Sequence, residues 1–198
     1  MVDSVFKKEL FELIKRNLLK NSLKKKKQTV FYKELNEKIL GTVSFGISNY
    51  GRSNIICLNP VIGVMSKDVE NLMEKTTGLS TLKDFMPTIS TPLGYLLLDK
   101  SYKEWEFEKG KDHSQIVAEM VGKITTNGFS FFTGRDTLKG VILEVEKDNF
   151  ILQPSKLYKL PLLYYCNGEK EKGLDFINRN MTPDNIPYQT FKDKYKEL

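Results

Sequence analysis

The stretch "EKILGTVSFGISNYGRSNIICLNPVIGVM", residues 37–65, decides the fold. In its first half large and small side chains alternate. Val43, Phe45 and Ile47 fall on one face, and Thr42, Ser44, Gly46 and Ser48 on the other, which is the period-two pattern of a strand with one buried face. "NYGRSN" is a turn, because Asn and Gly tolerate positive φ. "IICLNPVIGVM" is apolar on both faces and predicts a more central strand. Pro60 has no N–H for a ladder and marks a bulge or an edge position there.

Upstream, "QTVFYKEL" (28–35) is a further strand, and "SVFKKELFELIKRNLLKN" (4–21) is an amphipathic helix. Its stripe is Phe6, Leu10, Leu13, Ile14 and Leu18, widened by Phe11, with Asp3 or Ser4 as N-cap. These segments read as a helix followed by an antiparallel meander. Downstream, "SKDVENLMEKTTG" (66–78) predicts a short helix capped by Ser66 and ended by Gly78. "TPLGYLLLDKSYKEWEFEKG" (91–110) predicts a further hairpin, with Trp105 and Phe107 inward and Glu104, Glu106 and Glu108 outward. "DHSQIVAEMVGKITTNG" (112–128) predicts a helix with Ile116, Met120, Val121 and Ile124 on one stripe, stopped at Asn127-Gly128.

Beyond Gly128 strand signals cease. Leu138, Val141, Ile142 and Val145 line one side of a helix, and residues 155–181 form an αα-hairpin about Asn167-Gly168, with Pro161 early in its first helix. A Pro-punctuated turn at 182–187 leads to a polar terminal helix prone to fraying. The division expected is an α+β domain over 1–128 and a mostly helical C-terminal extension over 129–198 packed on it.

Composition is that of a soluble globular chain, with 40% hydrophobic and 28% charged residues in 198. That length buries a core without disulfides or metals. Cys57 and Cys166 stand far apart with no Cys or His at ligand spacing, so they are expected as buried, reduced thiols, and zinc is not indicated. The N-terminal stretch has no uncharged signal core and the apolar runs are too short to span a bilayer. The expected compartment is the cytoplasm.

Catalytic patterns are equally sparse. His113, the single histidine, sits in "KDHSQ" at a helix start, where an exposed first-turn residue is expected, and no nucleophile or orienting carboxylate accompanies it in sequence. Asp99, Glu104, Glu106 and Glu108 raise the question of paired carboxylates. Alternate strand residues lie about 7 Å apart, the spacing of any solvated strand face. "GRDTLKG" lacks the spacing of a phosphate loop. No cofactor or metal is expected.

Charge is the remaining signal. Of the net +6, all resides in residues 1–38, where eleven Lys or Arg face five Asp or Glu. Lys24, Lys25, Lys26 and Lys27, with Arg16 and Lys20, are the candidate anion or nucleic-acid contacts. Four phosphate contacts correspond to a salt slope of about −3.6, which suits loose association. Lysines also protect a strand edge from pairing with other chains, and that reading is preferred. Glu12, four residues from both Lys8 and Arg16, pairs part of the basic helix face internally.

The opening helix with "FKK", a basic turn into "FYKE", then "GTVSFGIS", "VIGV", "TPLGYLLLD", the lone Trp105 and a helix ending in "NGF" are similar to a bacterial family, domain of unknown function 4304, over residues 4–150. The resemblance implies an α+β fold with a helix on an antiparallel sheet, and carries no catalytic residues. Small families of this sort resemble accessory proteins of toxin-associated loci. The functional expectation is a non-enzymatic domain that binds another protein through Thr42, Ser44, Gly46 and Ser48, as an immunity-type partner of a toxin. The alternative is a basic nucleic-acid accessory.

Overall fold

The computed structural model describes residues 3–182 and 185–198. Helix α1 (Ser4–Lys20) starts where Asp3 accepts from the Val5 and Phe6 amides, and its buried stripe is Phe6, Leu10, Phe11, Ile14 and Leu18. Leu13, placed on that stripe by its spacing, is only half-buried. Strand β1 (Lys24–Lys27) is the lysine run itself, more than the mouth of a strand. It pairs antiparallel with β2 (Val30–Glu34), Lys24 opposite Tyr32 and Lys25 opposite Phe31, with an irregularity between Lys25 and Lys27.

Strands β3 (Ile39–Ser48) and β4 (Ile55–Ser66) follow, joined by a turn with Tyr50 and Gly51 both at positive φ. Then come β5 (Ile89–Pro92), a 3₁₀ turn (Leu93–Leu96) and β6 (Trp105–Glu108). The antiparallel sheet runs β1-β2-β3-β4-β5, and β6 also pairs with β4. The hairpin expected over 91–110 therefore does not form. Of its expected first half only Thr91 and Pro92 belong to β5, and the 3₁₀ turn takes Leu93–Leu96. Two separate stretches of β4 are used: β6 pairs with Ile55–Leu58, while the Thr88 amide, just before β5, donates to the Val64 carbonyl. Pro60 falls between those stretches, where β4 is least burdened by a residue without an N–H.

By compactness the chain divides into two units. The first takes the described part of Met1–Glu34, Gly41–Gly63 and Thr91–Thr133. Here Phe45 meets Phe11 and Phe31 edge-on, at 6.0 and 6.2 Å. Trp105 and Phe107 are buried as expected. Helix α4 (Ser114–Lys123) does not stop at Asn127-Gly128 but passes through a π-helical turn (Ile124–Gly128) into α5 (Phe129–Phe132). Its buried stripe begins at Val117 instead of Ile116, which is exposed. The Phe132 ring lies where a Cβ on Gly41 would be, so the glycine is what lets α5 approach β3.

The second unit takes Leu35–Leu40, Val64–Ser90 and the described part of Gly134–Leu198. Helix α2 (Lys67–Thr77) is capped by Ser66 and closed by Gly78 in the left-handed region, as expected. A single-turn α3 (Thr81–Asp84) follows it, and α6 (Leu138–Glu146) buries Val141, Ile142 and Val145. Helices α7 (Gln153–Cys166) and α8 (Lys170–Asn180) form the αα-hairpin. Pro154, not Pro161, occupies the first turn of α7, and Pro161 lies in its interior, where it removes a helical hydrogen bond. The Tyr195 hydroxyl on α9 (Ile186–Glu197) donates to the Pro161 and Lys170 carbonyls. Phe191 and Tyr195 are fully buried, so α9 is tied down where its polar composition alone suggested fraying. The Pro-punctuated turn before it includes Pro183 and Asp184, which lie outside the described residues.

Candidate functional site

The small-residue face of β3 is partly open. Ser44 and Ser48 are half-buried and Gly46 is exposed, but Thr42 is 3% exposed and is withdrawn from any contact surface. A Cβ on Gly46 would meet only Asn59, at 3.6 Å or more, an ordinary contact.

At its Ser48 end, long-range contacts bring aromatic and acidic groups to this face. Tyr50, at the tip of the β3–β4 turn, donates to Glu104 Oε2 at 2.6 Å. Tyr102 donates to Glu104 Oε1 at 2.8 Å, and the Ser48 hydroxyl lies 3.2 Å from the same oxygen. Burial pushes the Glu104 carboxyl up, but these three hydroxyls outweigh it and hold it below its ordinary value. The hydrogen bond to Glu104 in turn pushes the Tyr102 phenol up to about 12. Both phenol rings remain exposed, Tyr50 at 65% and Tyr102 at 55%. They are therefore oriented yet still presented to a partner.

Next along β6, Glu106 binds Arg52 at 2.9 Å. Its Oε2 lies 3.9 Å from the Cys57 sulfur, and the Cys57 thiol is pushed up by burial and by Glu104 and Glu106. Glu108 pairs with Lys111, and Asp99 accepts from Ser101. The four carboxylates are thus engaged by separate partners. Among the described residues, no three His, Cys, Asp or Glu side chains gather as a metal site requires. Cys57 is buried and Cys166 half-buried, and both are free thiols.

His113 corrects its sequence reading. Its ring lies 5.6 Å from Phe6 and 5.4 Å from Phe107, and both ring nitrogens are buried without a hydrogen-bond partner. It packs as a ring, and Asp112 caps the helix start by accepting from the Ser114 amide and hydroxyl.

The basic residues are spread along two elements. Arg16 and Lys20 are exposed on α1, and Lys24, Lys25, Lys26 and Lys27 are exposed on β1 at the sheet edge. Lys24 binds Glu34 at 3.0 Å, and Lys25 lies 3.9 Å from Glu12. Glu12 is bound at 2.9 Å by Lys15, not by the Lys8 or Arg16 that its spacing suggested. Part of this basic surface is therefore already matched by carboxylates.

The family model described as domain of unknown function (DUF4304) matches residues 17–134. The chain belongs to that family. The DUF4304 region contains the whole of the Ser44–Tyr50–Tyr102–Glu104 surface and the lysine edge, and ends just beyond α5. No curated protein and no solved structure matches the chain. No helix among the described residues is long and apolar enough to cross a membrane.

Sequence reasoning found the small face but missed Tyr50, Arg52 and Tyr102. The signal available was two tyrosines in turn-like segments on either side of a strand. Only the pairing of β4 with β6 brings them to one carboxylate.

Proposed function

We propose that this DUF4304 chain is a non-enzymatic, cytoplasmic protein-binding domain, and that its working surface is Ser44, Gly46 and Ser48 bordered by Tyr50 and Tyr102. The observation that carries the reading is the Glu104 clamp on two exposed tyrosines. Tyrosine is enriched at protein interfaces, and a ring already oriented loses less entropy on binding. Small side chains beside it let a partner's backbone approach closely. Glu104, held by neutral hydroxyls, gives the surface an acidic component, which suits a basic partner, while Glu106 is already matched by Arg52. In its most concrete form the partner is a toxin whose basic working surface is covered, the immunity-type role. Two free thiols are compatible with a reducing compartment.

The test is a tagged pull-down from the source cells with and without nuclease, repeated with Ser44→Arg/Gly46→Arg. A stoichiometric protein retained after nuclease and lost in the double variant, with an unchanged melting temperature, supports the reading. Retention by the double variant sinks it. The second reading, a nucleic-acid accessory, is favoured by the exposure of all four lysines on the edge strand. It requires nucleic-acid retention that falls steeply with salt and disappears when Lys24 to Lys27 become Gln.

A further inference from the structure

Buried within the second unit is an ion pair whose lysine lines a cavity. Glu70 on α2 is 0% exposed and Lys159 on α7 is 6% exposed. Lys159 Nζ lies 2.9 Å from Glu70 Oε1 and 2.8 Å from the Pro87 carbonyl. Thr88 also donates to Glu70 Oε1, at 2.8 Å, while the other carboxylate oxygen is buried without a partner. A lysine ammonium carries three hydrogens, so one Lys159 donor has no acceptor among the described residues. Lys159 lines a cavity of about 390 Å³ whose remaining wall includes Ser90, Ser155, Phe150, Met86 and Leu152. Met86 and Leu152 are 53% and 76% exposed, which makes an apolar rim above a polar floor.

A purely structural ion pair is better served by complete hydrogen bonding, because a buried charge with an unused donor loses solvation without return. We propose that this cavity is a binding site for a small amphipathic molecule, with an apolar body and a neutral hydrogen-bond acceptor, such as an amide carbonyl, bonded to Lys159. The volume is in the range of ligand pockets, and a few convergent polar groups within apolar walls are their usual composition. The charge balance selects the neutral head: Glu70 already compensates Lys159, so a carboxylate would bring an uncompensated negative charge beside a buried one.

The probe is hexanamide, with hexanoate as its charged counterpart, titrated into the full chain carrying ¹³C-methyl methionine. The Met86 methyl signal is assigned through Met86→Leu. Hexanamide is expected to shift that signal saturably, with a dissociation constant on the order of 1 mM for a fragment of this size, and hexanoate to bind at least about tenfold more weakly. Ser155→Phe, which fills the cavity and keeps both charges of the ion pair, should remove the shift while leaving the melting temperature in place. The double replacement Glu70→Leu/Lys159→Met removes both charges together and should weaken hexanamide by about tenfold or more. It decides the matter if the Phe variant melts early. No saturable shift, a shift that survives both variants, or a preference for hexanoate overturns the proposal.

Discussion

The Tyr50 hydroxyl donates to Glu104 Oε2 at 2.6 Å, fastening the tip of the β3–β4 turn to the residue that precedes β6. Tyr102 holds the other oxygen of the same carboxylate. One acid thus orients two exposed rings, and removing it should release both. In Glu104→Ala, Tyr102 should titrate near an ordinary phenol value of about 10 instead of about 12. Tyr50, whose phenol is raised chiefly by its bond to Glu104, should move the same way. The difference in tyrosinate absorbance between the two proteins reads this directly, and superimposable curves would show that the clamp does not exist in solution.

Asp3 links the start of α1 to pH. Its hydrogen bond with Lys109, supported by the Phe6 and Val5 amides, holds its carboxyl down at about 2. A carboxyl lowered in the folded state stabilises above its unfolded value of about 4 and loses that contribution as pH falls toward about 2. Asp3→Ala should therefore melt lower than the parent at pH 7. The gap should close between about pH 4 and pH 2. A gap independent of pH would mean that the side chain acts only through packing.

Two glycines of β3 should respond oppositely to a methyl group. At Gly41 a Cβ would lie 2.7 Å from the Phe132 ring, whereas at Gly46 the nearest atom is 3.6 Å away. Gly41→Ala should cost about 1–3 kcal/mol by overpacking, and Gly46→Ala should stay within about 0.5 kcal/mol of the parent. Chemical denaturation of both variants checks this.

Glu70 and Lys159 should behave as a coupled pair. Lys159→Met alone leaves a sealed carboxylate without its counter-charge and should cost about 3–5 kcal/mol. The double replacement Glu70→Leu/Lys159→Met should recover most of that loss, since it removes the stranded charge along with its partner. Additive single effects in a double-mutant cycle would contradict the pairing.

Both thiols should be slow nucleophiles. Burial pushes Cys166 up to about 11, so its thiolate fraction at mild alkaline pH falls on the order of a hundredfold below that of a free cysteine. Cys57 is raised as well, by burial first. Iodoacetamide should alkylate the native chain far more slowly than the urea-unfolded chain, followed by mass spectrometry. Equal rates would place the thiols in water.

Local pattern made much of the architecture legible. The burial of Val43 and Phe45, the stripe of α1 without Leu13, the cap at Ser66 and the stop at Gly78 depend on residues within one element, and these recur in the fold. Errors arose where a local signal competed with a distant one. Asn127-Gly128 is a fair helix stop, yet Gly128 lies against Ile62 in a continuing helical path because that packing outweighs the intrinsic preference. Residues 91–110 look like a hairpin, but the second half pairs with β4 and most of the first half is a 3₁₀ turn.

The sequence by itself determined the fold class, the core-facing stripes and the placement of its net charge at the amino-terminal end. These follow from side-chain periodicity and from charge counts, which need no knowledge of distant neighbours. The tertiary structure alone decided that Thr42 is buried, that His113 sits between Phe6 and Phe107, that Tyr50 and Tyr102 meet on Glu104, and that Glu70 and Lys159 are sealed together. Each of these joins residues far apart in the chain. Such meetings are set by strand pairing and helix packing, whose energies are spread over many side chains, so no single spacing in the sequence announces them.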